Sequence, residues 1–167
     1  MGHRVAVLRD GLLQQCDTPH ALYHEPANLF VAGFIGSPAM NFFPAKLAKD
    51  GDKVIVDTGD FKVQIPADHA APYKGLGGKD VIFGIRPENI HDPDFAPPNI
   101  HGEKVLAKVD VTELMGNETL VYLVSGKNIF VGRVDPRSKL RVNDSVQLVF
   151  DMDKFHIFDA ASEAAVR

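Results

Sequence analysis

The sequence predicts a mainly β fold, a barrel or sandwich of short strands preceded by a smaller segment that combines a hairpin with helices. Two observations predict the strands. From about residue 42 to residue 159 apolar and polar residues alternate in short runs, and turn residues interrupt these runs at roughly the 8–12-residue spacing typical of all-β domains. The length of 167 residues and the hydrophobic fraction of 45% are sufficient for one domain with its own core.

The first forty residues predict the smaller segment. The dipeptide Asp10-Gly11 is typical of a tight hairpin turn, and Thr18-Pro19 is a helix start signal. Asn28 is a candidate cap for a second helix, which Gly36-Ser37-Pro38 brings to an end. We therefore predict, in order, a strand over residues 4–8, its partner over 12–16, a short helix over about 20–24 and a second helix over Leu29–Phe34.

The longer segment contains only strand patterns. The clearest of them, residues 101–115, places Val105, Ala107 and Val109 on one face, as a half-buried strand does. The alanine-rich tail, residues 160–167, is predicted to be frayed or weakly helical. The predicted strands cover residues 53–57, 61–65, 80–86, 101–115, 118–124, 128–134, 145–151 and 155–159.

The composition disfavours several classes of protein. With 18 Lys and Arg against 22 Asp and Glu, the net charge of −4 disfavours a nucleic-acid binder, which needs a positive surface. The single cysteine, Cys16, has no partner for an internal disulfide, and no Cys/His quartet is present to hold zinc. The longest apolar run, residues 29–35, is far shorter than the roughly 20 residues of a membrane span. We therefore expect a reduced, soluble compartment.

No motif predicts a catalytic, cofactor or metal site. The sequence GLGGKD at residues 75–80 departs from a phosphate loop, because Asp80 stands where a hydroxyl ligand to magnesium is needed and a strand follows. His20 and His24 have the spacing of metal ligands but lack the accompanying glutamate. Cys16 has no general base in view, and no serine has the setting of a nucleophile. We expect no catalytic, metal-binding or cofactor-binding residue in this chain.

Two stretches in the first 42 residues carry a family resemblance. The sequence RVAVLRDGLLQQ at residues 4–15, followed by Thr18-Pro19 and Leu22-Tyr23, resembles the end of the ATPase domain of ATP-binding cassette (ABC) proteins. The sequence PANLFVAGFIGSPAMNF at residues 26–42 is similar to the linker of the sugar-importer branch of that superfamily. This branch includes the ATPase subunits of maltose, trehalose and glycerol-3-phosphate importers.

Two later turns extend the resemblance. The sequences GIRPENI at residues 84–90 and ELMGNET at residues 113–119 are similar to signature turns of that branch's C-terminal regulatory domain, a transport-associated OB (TOBE) fold. The resemblance implies an OB-like TOBE β-barrel preceded by a hairpin-and-helices remnant of an α/β ATPase domain. The division that it implies is an ATPase remnant at residues 1–36, a linker at 37–44, the barrel at 45–159 and a tail at 160–167.

The catalytic motifs of the family have no counterpart in the sequence, which lacks Walker A, Walker B, an LSGGQ-type signature and a switch histidine. The resemblance therefore implies a fragment that is not itself an enzyme, from a parent ABC transport ATPase that uses ATP and Mg²⁺. The implied function is that of a regulatory and dimerisation domain in an importer of sugars or related polyols. The implied partners are a second copy of the chain, the permease subunits (through the ATPase domain) and a regulatory protein. The implied location is cytoplasmic, at the inner face of the cell membrane.

The two signature turns supply the candidate contact residues Arg86, Glu88, Gly116, Asn117 and Glu118. These turns are polar where a core role does not explain them, and the resemblance implies contacts with a second copy or with a regulator. In the sharpest form of this hypothesis, Glu118 pairs with a basic group across the dimer. Ordinary turn chemistry is the alternative explanation, since glycine and asparagine permit positive φ and proline ends a strand.

Two alternatives stay open at this point. A free-standing β-barrel module that binds a small ligand, such as an oxyanion or a sugar, is the alternative function. The apolar side chains of residues 1 to about 36 would, on the resemblance, pack against an ATPase sheet that the chain does not contain. We therefore expect this segment either to fold back on the barrel or to exchange with a neighbouring molecule.

Overall fold

The computed structural model describes residues 2–167, most of which lie in short strands and turns. The helices are α1 (Pro19–His24) and α2 (Leu29–Phe34), with single 3-10 turns at Ala71–Tyr73, Pro87–Asn89 and Pro93–Phe95. Within residues 2–167 no helix has the length and apolar composition needed to span a bilayer. The strands are β1 (Val5–Arg9), β2 (Leu12–Asp17), β3 (Asn41–Asp50), β4 (Lys53–Asp57), β5 (Lys62–Ile65), β6 (Asp80–Ile85), β7 (Ile90–His91), β8 (Gly102–Leu114), β9 (Thr119–Ser125), β10 (Asn128–Val134), β11 (Ser145–Asp151), β12 (His156–Asp159) and β13 (Ala165–Val166).

The strands pair antiparallel throughout residues 2–167 and form three sheets. The larger two have the strand orders β13-β12-β6-β3-β4-β5 and β10-β9-β8-β11-β7, and β1 pairs with β2 as a separate hairpin. One continuous apolar core takes buried residues from both larger sheets. The mainly β, OB-like fold that the sequence predicts is confirmed.

Phenylalanine side chains fill the centre of this core. Phe43 and Phe83 come from the six-stranded sheet, whereas Phe130 and Phe150 come from the five-stranded sheet, and none is more than 2% exposed. The Phe43 ring centroid lies 5.5 Å from that of Phe130, in edge-to-face geometry, and 5.8 Å from that of Phe83. Such aromatic pairs add about 0.5–1.5 kcal/mol beyond the burial of their surface. The cluster therefore ties the two sheets together.

The side chain of Asn41 closes the seam where β3 approaches the outer edge of β10. Its Nδ2 donates to the carbonyl oxygen of Val131 at 2.8 Å, and its Oδ1 accepts from the N–H of Val131 at 2.9 Å. The Asn41 amide thus pairs with the backbone N–H and C=O of Val131, as the backbone of one residue in an adjacent strand would. The edge of β10 is thereby partly occupied by the chain itself.

The first segment has the hairpin and helices that the sequence predicts. Asp10 and Gly11 adopt φ of 50° and 79° in the turn between β1 and β2. Thr18 caps α1, since its Oγ1 accepts from a backbone N–H three residues later at 3.1 Å. Asn28 caps α2 in the same way through Oδ1, at 2.9 Å. Both caps satisfy helix N–H groups that have no intrahelical partner.

This segment folds back on the barrel, which is one of the two expected alternatives. Val7, Leu22 and Val31 are buried together in a small apolar cluster that is separate from the main core. A hydrogen bond of 2.9 Å joins the N–H of Leu29 to the carbonyl oxygen of Glu163, beyond β12. The hairpin and helices are therefore attached to the barrel within one chain.

Strand β3 is the main difference from the sequence prediction. Its first four residues fall in the predicted linker, and proline, alanine and lysine within it obscure the alternation. Phe43, Ala45 and Leu47 are nevertheless buried on one face. At Pro44 the strand pairs only with β6, because β4 pairs from Lys46 onward, so the missing N–H interrupts no two-sided ladder.

The prediction of a frayed or weakly helical tail is wrong. β13 pairs with β12, and Asp159 holds the turn between them by accepting from the N–H groups of Ala161 and Ser162 at 3.2 and 2.9 Å. The hydrogen bond from Ser162 and the ion pair with Lys79 hold the pKa of Asp159 well below its usual range. The aspartate therefore specifies a turn where the alanines alone indicate a helix.

The amides of β1 and β2 are expected to exchange with solvent faster than those of residues 105–109 in β8, by about tenfold or more. Within β1 and β2 only Val7 is buried, and a lone two-stranded sheet is marginal in water. β8 pairs with β11 over residues 102–108 and with β9 from Lys108 onward, and its residues 105, 107 and 109 are buried on one face. Hydrogen exchange followed by NMR measures the difference, and equal protection in a monomer would contradict it.

Candidate functional site

The guanidinium of Arg86 connects the barrel to the first segment at one buried point, which we name the Arg86 joint (Tyr23, Ile35, Arg86 and Glu88). Arg86 follows β6 and is 2% exposed. Its Nε and Nη2 donate to the carbonyl oxygen of Tyr23 at 3.2 and 2.6 Å. Its Nη1 donates to the carbonyl oxygen of Ile35 at 2.7 Å. All three nitrogens of the side chain therefore have acceptors in the first segment.

These acceptors are carbonyls that the ends of helices leave unpaired. Tyr23 lies in the last turn of α1, and Ile35 is the C-cap residue of α2. Carbonyls at these positions have no donor within their own helix and carry the partial negative charge of the helix end. One cation from the barrel therefore completes the hydrogen bonding of two helices.

Tyr23 and Glu88 complete the joint. The Cζ atom of Arg86 lies 3.7 Å from the centroid of the Tyr23 ring, in a cation–π contact. The Tyr23 hydroxyl donates to Oε1 of Glu88. Burial, together with this hydrogen bond, raises the pKa of Tyr23 to about 12. The hydroxyl therefore keeps its proton, and its role as donor, at neutral pH.

Gly36 is the residue that lets the chain pass the guanidinium. Its φ is +125°, and a Cβ at this position would lie 2.9 Å from Nη1 of Arg86. A side chain is therefore excluded both by the backbone conformation and by the close contact.

The C-terminal residues provide a second attachment for the same segment. Nη2 of Arg167 donates to the carbonyl oxygens of Glu25 and Pro26 at 2.5 and 3.0 Å. These two residues form the connection between α1 and α2. The connection is thus held by the tail, while the helix ends are held by Arg86.

The second signature turn connects β8 to β9. Gly116 has φ +94°, and Gly116 and Asn117 are both exposed. Oε2 of Glu118 lies 3.3 Å from Nε of Arg133 in the same chain, without hydrogen-bond geometry. Arg133 also donates through Nη2 to the carbonyl oxygen of Ser37. This turn is therefore connected, through one arginine, to the segment between α2 and β3.

The five candidate contact residues differ in burial and in the partners that they have within the chain. Arg86 is 2% exposed and its guanidinium bonds within its own chain, so a contact of Arg86 with a second copy or a regulator stays a prediction. Glu88 is half-buried in the same joint, and Glu118 has an ionic partner in its own chain. Intermolecular contacts of Glu88, Gly116, Asn117 and Glu118 stay a prediction.

Sequence reasoning does not identify Tyr23, Gly36 or Arg133 as parts of these sites. The acceptors of Arg86 are backbone carbonyls, which every residue possesses, so no side-chain pattern marks them. Gly36 lies within a recognised turn signal, which is the one clue in the sequence, and its positive φ is visible only in the structure. The partners of both turns are also distant in sequence. Arg133 and Ser37 are 96 residues apart, and Arg86 and Tyr23 are 63 residues apart.

The motifs that do not predict a site have local structural roles. Nζ of Lys79, in the glycine-rich loop, pairs with Asp159 at 3.0 Å. Cys16 is half-buried on β2. Among residues 2–167 no three His, Cys, Asp or Glu side chains are grouped in a way that suits a metal ion.

A cavity of about 300 Å³ lies beside the Arg86 joint, and His24 and His156 contribute to its lining. Burial, followed by the positive charge of Arg86, lowers the pKa of His156 to about 4. Burial and the neighbouring His20 lower the pKa of His24 as well. Both imidazoles are therefore mostly neutral at pH 7, so they add little positive charge next to Arg86.

Replacing Arg86 by alanine is expected to lower the free energy of unfolding by about 2–4 kcal/mol, because two helix ends lose their charged donor. Arg86→Lys should cost about 1–2 kcal/mol, since an ammonium lacks the planar fork that reaches both carbonyls. The matched control is Arg141→Lys at an exposed position, which should stay within about 0.5 kcal/mol of the parent. Chemical denaturation measures all three, and equal stability of the two lysine variants would contradict the role of the joint.

Acidification is expected to destabilise the chain through His156. Its pKa is about 4 in the folded state against 6.5 ordinarily, so the unfolded chain binds the proton more readily. The stability contributed by the neutral imidazole is complete above pH 6.5 and is lost as the pH falls toward 4. Between pH 7 and pH 5 the loss should be about 1–2 kcal/mol.

Urea denaturation at both pH values tests this expectation. His156→Gln should remove that share of the pH dependence, whereas His3→Gln, at an exposed position, should leave it in place. An unchanged pH dependence in His156→Gln would show that another group is responsible.

Two domain families match the chain. The MalK OB fold domain matches residues 36–90, and the TOBE domain matches residues 83–158. Together the two matches extend from the end of α2 to β12. Their overlap, residues 83–90, contains Arg86 and Glu88 of the Arg86 joint.

Curated relatives align over nearly the whole chain. The osmoprotective compounds uptake ATP-binding protein GgtA of Synechocystis sp. is 44% identical over 99% of the chain. The trehalose/maltose import ATP-binding protein MalK of Thermococcus litoralis is also 44% identical over 99%, and the oligosaccharides import ATP-binding protein MsmX of Bacillus subtilis is 40% identical over 100%. The chain spans about 45% of the length of each of these relatives.

A solved structure shares the fold at low sequence identity. The cytoplasmic molybdate-binding protein ModG has a TM-score of 0.50 and 15% identity, over 70% of this chain and 94% of that chain. At this identity the likeness concerns the fold alone.

The family follows from the domain matches and the curated relatives: the chain belongs to the ATP-binding subunits of sugar-importer ABC transporters and carries the OB and TOBE domains of their C-terminal regulatory part.

Proposed function

We propose that the chain acts as the regulatory and dimerisation part of the ATP-binding subunit of an ABC importer for sugars or related polyols. The relatives support the importer class, since two of them are named for the import of trehalose, maltose or oligosaccharides. The Arg86 joint is the observation that carries the regulatory role. A barrel residue holds both helices of the segment that resembles the end of an ATPase domain.

The joint suits the transmission of movement between the two parts. A guanidinium that donates to two helix ends fixes the orientation of both helices against β6. Because Arg86 is buried, water does not compete for these hydrogen bonds. Movement of α1 and α2 therefore carries the barrel with them. Arg133 supports the same coupling, because it connects the β8–β9 turn to Ser37 just before β3.

The other parts of the importer belong to this proposal as well. ATP and Mg²⁺ would be held by a part of the parent protein outside these 167 residues, because the sequence has none of the motifs that bind them. The parent subunit would bind the permease through its ATPase domain and work at the inner face of the membrane. A regulatory protein is a further partner of the barrel.

The tip of the β8–β9 hairpin is the surface that we assign to dimerisation. Leu114 and Met115 are 72% and 57% exposed, directly before the exposed Gly116 and Asn117. Large apolar side chains at a hairpin tip are costly in water and suit contact with another protein. In a twofold dimer the same patch would serve both chains.

Analytical ultracentrifugation of the chain up to about 300 µM tests the proposal, because a weak dimer is populated only at such concentrations. We expect the dimer fraction to rise with concentration. Leu114→Glu should weaken the dimer by about tenfold or more, since it would bury an unpaired charge. The matched control is Ile129→Glu, at a position that is 75% exposed on β10. A chain that stays monomeric throughout, or equal effects of the two variants, would contradict the assignment.

A further inference from the structure

His156 lies on the face of the six-stranded sheet that the first segment covers. It belongs to β12, in which the next residue, Ile157, is buried in the main core. Because side chains alternate along a strand, His156 and Phe158 share the opposite face. Phe158 is buried there against Ala32 of α2 and against Met40. The ring centroids of His156 and Phe158 are 6.2 Å apart, so the imidazole adjoins this packed contact.

Two cavities lie between His156 and the end of α1. One is the cavity of about 300 Å³ beside the Arg86 joint, and the other has a volume of about 200 Å³. His24 and Glu25 line both cavities together with His156. Arg167 lines the second cavity and holds the carbonyl oxygens of Glu25 and Pro26. Departure of the first segment would therefore open both cavities and bring the imidazole into contact with solvent.

The charges around these two cavities balance only while His24 and His156 are neutral. Three carboxylates and three permanent cations line the cavities: Glu25, Glu88 and Asp153, and Arg86, Lys154 and Arg167. The tyrosines of the lining, Tyr23 and Tyr73, stay uncharged, because burial raises the pKa of both. The ring centroid of His20 lies 4.3 Å from that of His24 and adds a further titratable group on α1. Protons on the imidazoles would therefore leave this contact with a net positive charge.

The carboxylates of the lining offer little compensation for such a charge. Glu88 already accepts from the Tyr23 hydroxyl in the Arg86 joint. Oδ1 of Asp153 lies 2.6 Å from Nδ1 of His101, its partner on the other side of the barrel lining. Glu25 is exposed, so solvent screens its charge. A proton on His156 therefore adds to the positive charge of Arg86 and Arg167 with no free carboxylate buried beside it.

Release of the first segment removes the burial of the imidazole. Burial, followed by the positive charge of Arg86, holds the pKa of His156 at about 4, whereas 6.5 is the ordinary value. The released state therefore binds the proton more tightly than the attached state does, and acid favours release. Arg86 keeps its own charge throughout. We propose that protonation of His156 releases the first segment, β1 to α2, from a barrel that stays folded.

The two pKa values set the direction and the size of the effect. A histidine whose pKa is lowered in the attached state stabilises attachment fully above pH 6.5, and this contribution is lost as the pH falls toward 4. Between pH 7 and pH 5 the ratio of released to attached molecules should rise by up to about twentyfold. The attachment of the helices thus depends on pH although the hydrogen bonds of Arg86 do not titrate.

Hydrogen exchange of the whole chain at pH 7 and pH 5, followed by NMR, tests the proposal. Protection factors remove the direct effect of pH on the chemical exchange rate. The amides of Leu22 and Ala32, which bond within α1 and α2, should lose protection by about tenfold or more at pH 5, while residues 105–109 keep their native chemical shifts. In His156→Gln the loss should shrink to about twofold or less. His3→Gln, at an exposed position, should show the full loss.

Three outcomes would overturn the proposal. Unchanged protection in α1 and α2, beside a loss at residues 105–109, would show that the barrel alone buries His156. Loss of the native shifts of residues 105–109 at pH 5 would show that the barrel unfolds together with the first segment. An equal loss of protection in His156→Gln and the parent chain would assign the effect to another group. If His156→Gln does not fold, His24→Gln serves as the second variant, and it should show a smaller loss than the parent because one of the two facing imidazoles is gone.

Discussion

A guanidinium that donates to the ends of two helices is the interaction on which the arrangement of the first segment depends. Each of these helices has six residues, a length that is not stable alone in water. Burial lowers the pKa of Arg86, yet an arginine stays protonated under such conditions, so the charge is permanent. The helices are therefore placed by a group that the barrel supplies and that no change of physiological pH removes.

The barrel and the joint draw their stability from different sources. In the core, Phe43, Phe83, Phe130 and Phe150 bring the two sheets together through apolar burial, which is non-directional. At the joint, hydrogen bonds of fixed direction determine how the helices are oriented. A molecule built in this way can keep a rigid barrel while the position of its first segment responds to a single side chain.

Much of the fold can be predicted from the sequence, because period-two alternation and turn residues are local signals. β8 and β10 have clear alternation, and the caps Thr18 and Asn28 precede the helices they serve. β3 is missed because its proline, alanine and lysine residues have low strand propensity, and its strand state comes from pairing with distant strands. The site is predicted only in part. The signature turn identifies Arg86. Its acceptors are backbone carbonyls, which every residue has, so the sequence does not indicate which of them Arg86 contacts.

The amide of Asn41 has a consequence for how copies of this protein can associate. An open strand edge invites another chain to add a strand through unpaired N–H and C=O groups, which nearly every residue carries. Asn41 already takes both backbone groups of Val131 on β10. Association at that point must therefore use side-chain contacts, whose strength depends on residue type and charge. A contact of that kind can form and separate repeatedly.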